Sequence, residues 1–276
     1  MAQDSKIEWT HHTQNLWHGC THVHEGCDNC YAEALSHRWG NDIWGNDKPR
    51  KFIQSASDDL YRYQARAQKA GEVHRVFVGS MMDIFEKPMP MIDSKGVPMA
   101  IDTDYTRQIF FDNISDGLYP NILFLLLTKR PSNINKYIPE HWKQHPPDNV
   151  MFGTSPVNQA TFNTLTQQLK QVNGRRFLSI EPQLGLISDP DLSGIDWVIQ
   201  GGESGPRSRP FEPDWAHVMA EQCDTQGVPF FFKQTGTWLA KDWDLKNAKG
   251  SDLTELIDFM RIRQFPKATD ASLQTV

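Results

Sequence analysis

The chain has 276 residues, four cysteines and a formal net charge of −6, with 38% hydrophobic and 11% aromatic residues. That apolar content excludes a disordered chain, and the absence of any run of about 18 apolar residues argues against a membrane span. Because the first residues are polar and cysteines are few, we expect a cytoplasmic protein with reduced thiols and no membrane partner.

The first predicted strand covers residues 13–19 and leads directly into three cysteines. Cys20, Cys27 and Cys30 follow the spacing C-x6-C-x2-C. Three thiolates on one loop (residues 18–31) can hold three irons of a cubane 4Fe–4S cluster and leave its fourth iron open. The spacing therefore favours a reactive iron–sulfur site.

Two alternatives to the cluster remain open at this point. Zinc bound by the three cysteines with His22 or His24 would form a Cys3His structural site. The three thiols could also be unrelated buried side chains. Cys223 stands alone on a predicted helix, and we expect it to be a packed thiol.

The segments after the cysteines contain two expected loops. Gly, Asn, Asp and Pro recur in WGNDIWGNDKPRKF, which predicts an inserted loop at about residues 39–52. Three prolines predict that EKPMPMIDSKGVPM is an exposed loop. The polar end, at about residues 264–276, is expected to fray. No clean boundary divides residues 1–276, so a single domain is predicted.

Six more apolar runs predict strands buried on both faces, as in a parallel sheet. They are Val76–Met81, Ile122–Thr128, Val150–Thr154, Phe177–Glu181, Trp197–Gly201 and Pro229–Lys233. Helical patterns between them, such as Asp104–Ile114, Asn158–Val172 and Pro213–Gly227, indicate βαβ units.

About seven parallel strands with crossover helices fit either a doubly wound sheet or a (β/α) barrel. We favour an α/β fold with a TIM-type (β/α) barrel, complete or partial. A polar residue ends almost every predicted strand, and barrels build their active sites at the carboxyl ends of the strands. A doubly wound sheet concentrates its chemistry at one switch point.

A three-cysteine loop after a first strand, followed by a (β/α) repeat, resembles the radical S-adenosylmethionine (SAM) superfamily. The chain is more closely similar to a family of phage and mobile-element proteins related to that superfamily. The matching segments are KIEWTHHTQNLWHGCTHVHEGCDNCYAEAL, VGSMMDIFE, LLLTKRP, FGTSPVNQ, LSIEPQLG, WVIQGGESGPRSRP and VPFFFKQTG. The usual superfamily spacing is C-x3-C-x2-C with an aromatic residue before the third cysteine, whereas here the first gap is six and Asn29 precedes Cys30.

The resemblance implies two cofactors, a 4Fe–4S cluster and SAM, and a one-electron donor such as flavodoxin or ferredoxin. It implies that a radical derived from SAM removes hydrogen from the substrate. Related phage enzymes act in thymidine hypermodification, which evades host restriction. We therefore expect an isomerase acting on a nucleotide or on an amino-acid-modified thymidine in phage DNA, in the host cytoplasm. The alternatives are a zinc-bearing interaction module without catalysis and a radical SAM lyase or repair enzyme.

The residues at the predicted strand ends receive expected roles. The resemblance implies that SAM is bound by Ser80, Asp83, Lys129, Ser155, Asn158 and Glu181, with Asp83 accepting from its ammonium group. The loop GGESGPRSRP exposes backbone N–H groups that suit an anion. Expected substrate contacts are Glu203, Arg207, Arg209 and Lys233. For each of these residues, the alternative is a capping or ion-pair role at a strand end.

Overall fold

The computed structural model of the chain describes residues 5–266, which contain eleven strands and seven α-helices. The strands are β1 (His12–Gln14), β2 (Trp17–His18), β3 (Arg50–Phe52), β4 (His74–Val78), β5 (Pro90–Ile92), β6 (Pro98–Asp102), β7 (Ile122–Thr128), β8 (Val150–Thr154), β9 (Arg175–Ile180), β10 (Trp197–Gly201) and β11 (Phe230–Gln234). The helices are α1 (Tyr31–Arg38), α2 (Ala56–Ala70), α3 (Thr103–Ser115), α4 (Ile134–Tyr137), α5 (Gln159–Leu169), α6 (Pro213–Thr225) and α7 (Gly236–Asp242). None of these helices has both the length and the apolar character that a bilayer crossing requires.

Seven strands form one all-parallel sheet that curls into a half-barrel. The spatial order is β1-β4-β7-β8-β9-β10-β11, so the strands of this sheet lie in the same order as they occur along the chain. A doubly wound sheet has a point at which the strand order reverses, and this sheet has none. The predicted α/β fold with parallel strands is therefore confirmed, and the strand order is consistent with a partial barrel.

The apolar runs form strands because both faces of the sheet are covered. Along β7, Phe124 and Leu126 pack with the helices, and the alternating Leu123 and Leu125 pack on the other face. That second face forms a smaller core, which includes Trp9, Phe77, Met151, Phe177, Trp197 and Phe231. Trp9 packs on Phe77 with ring centroids 4.8 Å apart. This inner core fills the half-barrel below the cavity described in the next section.

The first predicted strand is divided between two sheets. Residues 12–14 pair with β4 in the large sheet, whereas Trp17 and His18 pair with β3 in a second, four-stranded sheet of order β2-β3-β5-β6. The predicted strand from Val76 ends early, at Val78, because Gly79 has φ +109° and turns the chain.

The small sheet corrects two loop predictions. EKPMPMIDSKGVPM is not an open loop, because its residues form β5 and β6 as an antiparallel pair. Each strand begins with a proline, at a position where a missing backbone donor is tolerated. The inserted loop near residues 39–52 likewise ends in β3.

The tail prediction is tested only in part. Gln264 is held in place, since its backbone N–H donates to Phe230 O at 2.8 Å and its carbonyl accepts from the Trp197 indole at 2.9 Å. Residues 267–276 lie outside the described range.

Candidate functional site

An open cavity lies at the carboxyl ends of the parallel strands, where the cysteine loop covers the half-barrel. Its accessible volume is about 200 Å³. Since parallel strands end at the same edge, the sheet brings together residues that are far apart in sequence. Those of the expected site that line the cavity are Cys20, Cys27, Cys30, Ser80, Asp83, Lys129, Ser155, Glu181, Glu203 and Lys233.

The three cysteines of the loop are free thiols on three different local elements. Cys20 follows β2, Cys27 ends a 3-10 turn, and Cys30 is the N-cap residue of α1. Burial, and then the negative charges of Asp83 and Glu86, raise the pKa of Cys20 to about 12. A metal that binds this thiol must therefore displace its proton.

Three thiols on one loop are suitable donors for a thiolate-held cluster. In residues 5–266, no three His, Cys, Asp or Glu side chains are arranged around one metal position. A cubane cluster does not need such convergence, since each thiolate binds a different iron. The two histidines of the zinc alternative are engaged elsewhere: His22 Nε2 lies 2.6 Å from Glu33 Oε2, and His24 Nδ1 accepts from Gly26 N at 3.1 Å.

Buried charges hold the Cys20 end of the loop. Arg130 Nη1 donates to Asp83 Oδ2 at 2.7 Å and lies 3.8 Å from Cys20 Sγ, while Nη2 donates to Thr21 O at 2.6 Å. Arg50 Nη2 donates to Thr21 Oγ1 at 2.8 Å and to Glu86 Oε1 at 2.7 Å. These bonds fix the backbone and side chain of the residue next to the first thiol.

Asp83 is saturated by donors from the protein. Its carboxylate accepts from the hydroxyl of Thr128, the backbone N–H groups of Phe85 and Lys129, and the Arg130 guanidinium. Its side chain is only 7% exposed. In this arrangement Asp83 anchors Arg130. It is therefore not the open acceptor for an ammonium group that was expected from the sequence.

A second arginine holds the Cys27–Cys30 end. Arg209 forms a two-point contact with Glu203, with its Nη2 2.6 Å from Oε1, and its Nη1 donates to Glu25 O at 3.0 Å. Asn29 Nδ2 also donates to Glu203 Oε2 at 3.1 Å. Burial alone would raise the pKa of Glu203, but the bonds from Arg209 and Asn29 lower it below its usual value. This charged pair therefore holds the loop.

Three expected site residues lie outside the cavity lining. Arg209 is engaged as just described, and the Arg207 side chain is exposed while its carbonyl accepts from Asn29 at 2.9 Å. Asn158 is the N-cap residue of α5, and its Oδ1 accepts from Thr161 N at 3.0 Å. In the structure, Asn158 therefore has the capping role that was given as the alternative to SAM binding.

The deeper wall of the cavity carries groups that are not fully engaged. Lys233 Nζ forms an ion pair with Glu181 Oε1 at 2.9 Å. The hydroxyl of Ser155 is buried and has no hydrogen-bond partner in the described chain. Lys129 has no carboxylate within 4.0 Å among residues 5–266. A ligand could bind Ser155 and Lys129 without breaking a strong contact.

The sequence did not single out Arg50 and Glu86, which support the loop from below. Both are buried, and Arg50 has no exposed side-chain surface. Arg50 lies in a stretch whose sequence predicts a polar loop. Its role is shown only by its contacts with Glu86 and Thr21 in the folded chain. The glycine and proline residues near Arg50 in the sequence predict a turn and do not indicate a buried ion pair.

Comparison with known proteins identifies a family for the chain. The family described as "Protein of unknown function (DUF5131)" matches residues 4–266, nearly the whole length. The chain therefore belongs to this family. No curated protein and no solved structure matches it.

Proposed function

We propose that this DUF5131 protein is a radical SAM enzyme whose partial, TIM-type (β/α) barrel holds a 4Fe–4S cluster on Cys20, Cys27 and Cys30. One observation carries the proposal: three free thiols of a single loop line one cavity at the carboxyl ends of an all-parallel sheet. The remaining thiol, Cys223, is buried among core residues of α6 and does not line this cavity. Three ligands leave one iron open for SAM.

When bound, the cluster and SAM supply a carbon radical that removes a hydrogen atom from the substrate. The chain itself binds and orients. Lys129, which has no carboxylate partner among residues 5–266, would bind the carboxylate of SAM, and the Ser155 hydroxyl would bond one of its polar groups. Arg130 and Arg209 hold the two ends of the loop, and the inner core below the cavity excludes water from its floor.

The substrate part of the proposal rests on the resemblance to enzymes of thymidine hypermodification. We propose an isomerase acting on a modified nucleotide, with Lys233 and Glu181 facing the substrate at the cavity wall. The cavity adds one constraint, because a base of duplex DNA would have to leave the helix to reach it. Mass spectrometry of nucleosides from cells that express the protein with its genomic neighbours tests this part. Unaltered nucleosides would refute the DNA substrate alone.

The test of the enzymatic proposal is anaerobic purification followed by metal analysis and a SAM cleavage assay. We expect about four irons per chain, as a cubane cluster requires, and 5′-deoxyadenosine on reduction. Cys20→Ala, Cys27→Ala and Cys30→Ala should each lose the iron and the cleavage.

Cys223→Ala is the matched control, since it removes a thiol that lies in the core and not in the cavity. It should keep the iron content of the unaltered protein, with a modest loss of stability from the smaller buried side chain. Stoichiometric zinc without iron would overturn the proposal in favour of a zinc-bearing module.

A further inference from the structure

We propose that Arg130 is a positioning residue that raises the reduction potential of the cluster and fixes its Cys20 ligand. This inference rests on the proposed function, because it assumes that Cys20 binds iron. It goes beyond it by assigning electrostatic control to a residue outside the three-cysteine motif.

The geometry at Cys20 carries the inference. Arg130 Nη1 lies 3.8 Å from Cys20 Sγ, within the range of an N–H donor to sulfur, and Nη2 holds Thr21 O at 2.6 Å. The side chain is 15% exposed, so solvent screens its charge only weakly. A buried positive charge and an N–H donor to sulfur both favour the more negative, reduced state of a cluster.

The carboxylates around Arg130 fix its position. Asp83 accepts from Nη1 at 2.7 Å, and Glu86 lies 3.7 Å from Nη2 while also binding Arg50. Asp83 is in turn fixed by Thr128 and two backbone N–H groups. The guanidinium therefore cannot swing away from Cys20 without leaving buried carboxylates unpaired, which is costly.

The experiment measures the ratio of reduced to oxidised cluster at one fixed potential in the anaerobically loaded protein without SAM. In Arg130→Gln we expect this ratio to fall at least tenfold, which is a shift of 59 mV for one electron. Chelator should also remove iron faster, because Thr21 O has lost its donor. Arg130→Lys keeps the charge, so its ratio should stay within about twofold of the unaltered protein while its iron is released faster.

A paired variant separates the charge from the unpaired Asp83 that Arg130→Gln leaves behind. Arg130→Gln combined with Asp83→Asn restores the net charge of the site and still lacks the donor to sulfur. We expect its ratio to fall about threefold, between those of the unaltered protein and Arg130→Gln. A ratio equal to that of the unaltered protein would show that the donor to sulfur has no effect, which contradicts that part of the inference.

The outcomes distinguish the inference from the proposed function. If the unaltered protein binds no iron, the proposed function fails. If it binds iron and Arg130→Gln matches it in both the ratio and iron release, only the inference is overturned. Should Arg130→Gln retain no iron, the paired variant with Asp83→Asn decides: a fall of about threefold in its ratio supports the inference, and a ratio equal to that of the unaltered protein overturns it.

Discussion

At the scale of single residues, Ser155 offers a test that separates binding from stability. Its hydroxyl is 1% exposed and has no partner in the described chain, so it contributes a desolvation cost without a bond. We predict that Ser155→Ala unfolds at the same free energy as the unaltered protein, or up to about 1 kcal/mol higher. Its affinity for SAM, measured by calorimetry on the cluster-loaded protein, should fall about tenfold for the lost bond.

Thr166→Val is the matched control for Ser155. The Thr166 hydroxyl on α5 is also buried and has no hydrogen-bond partner within residues 5–266, but it does not line the cavity. The control should show the same neutral or slightly higher stability with unchanged SAM affinity. A Ser155→Ala protein that is clearly less stable would mean that the hydroxyl has a structural partner.

The residues of the site differ in how far sequence alone could place them. The three cysteines could be grouped because one short loop carries them all. The engagement of Asp83 and Arg209 could not be predicted, since contacts with other segments, Thr128 and Arg130 for Asp83 and Glu25 O for Arg209, decide whether a charge is free. Asp83 carries the same charge at a strand end as Glu181, yet its donors saturate it. Hydrogen-bond saturation is a property of the folded chain.

At the scale of elements, Asn158 is predicted to act through helix α5. Its side chain caps the helix together with Thr161, in a reciprocal capping box. Asn158→Ala should lower the free energy of unfolding by about 1 kcal/mol, whereas Asn158→Ser, which keeps a capping oxygen, should lose much less. Urea denaturation of both variants measures this difference. A loss of SAM affinity in Asn158→Ser at full stability would instead favour the contact with SAM.

The strands with strong apolar runs could be predicted from the sequence, whereas the strands of the small sheet could not. Strands β7, β8 and β10 are found at the bounds that their apolar runs predict. Strands β3 and β5 have only three residues each, and the latter begins with proline. Such short segments gain their stability from pairing with distant neighbours, so their own sequence shows little strand signal.

The pairing of β1 with β4 should respond to acid through His11. Burial, and then the positive charge of Arg75, lower the pKa of His11 to about 4. Its Nδ1 also accepts from Arg75 N at 2.9 Å, a bond that needs an unprotonated ring nitrogen. Between the unfolded pKa, about 6.5, and about 4, the unfolded chain binds more protons. The free energy of unfolding should therefore fall as pH drops through this window.

A variant isolates the contribution of His11 from those of its neighbours. The small cleft around His11 is also lined by His12, His74, Glu72 and Arg66. These four neighbours are unchanged in His11→Asn. Asparagine keeps an acceptor for the Arg75 N–H but does not titrate. In urea denaturation, the loss of unfolding free energy between pH 7 and pH 5 should be smaller in this variant. An equal loss in both proteins would show that His11 does not carry the effect.

At the scale of the whole molecule, the strand order explains why charged residues from distant parts of the chain meet at the carboxyl end of the sheet. Because the sheet follows the chain order, each crossover adds one further residue or pair to the same end. The net charge of −6 says little about this end, where Arg130 pairs with Asp83, Arg209 with Glu203 and Lys233 with Glu181. Lys129 is left as the lining cation with no such pair among residues 5–266.

The cysteine loop connects distant parts of the half-barrel, so cluster loading should be felt beyond the loop. Its contacts reach Arg130 after β7, Arg209 and Arg207 after β10, and the Ser80 carbonyl after β4, which accepts from Tyr31. A cluster that rigidifies residues 20–30 should also slow the local openings of these segments.

We predict that hydrogen exchange, compared between cluster-loaded and chelator-stripped protein, slows in residues 20–31 and also in residues 203–209. Amides inside β7 and β8 should not change, because their bonds lie within the sheet and far from the loop contacts. Arg209→Lys is the matched test of transmission, since it keeps the charge but loses the two-point contact with Glu203. In that variant the slowing should persist in residues 20–31 and shrink in residues 203–209. Slowing confined to the loop of the unaltered protein would contradict the idea that these contacts unite the carboxyl ends of the strands.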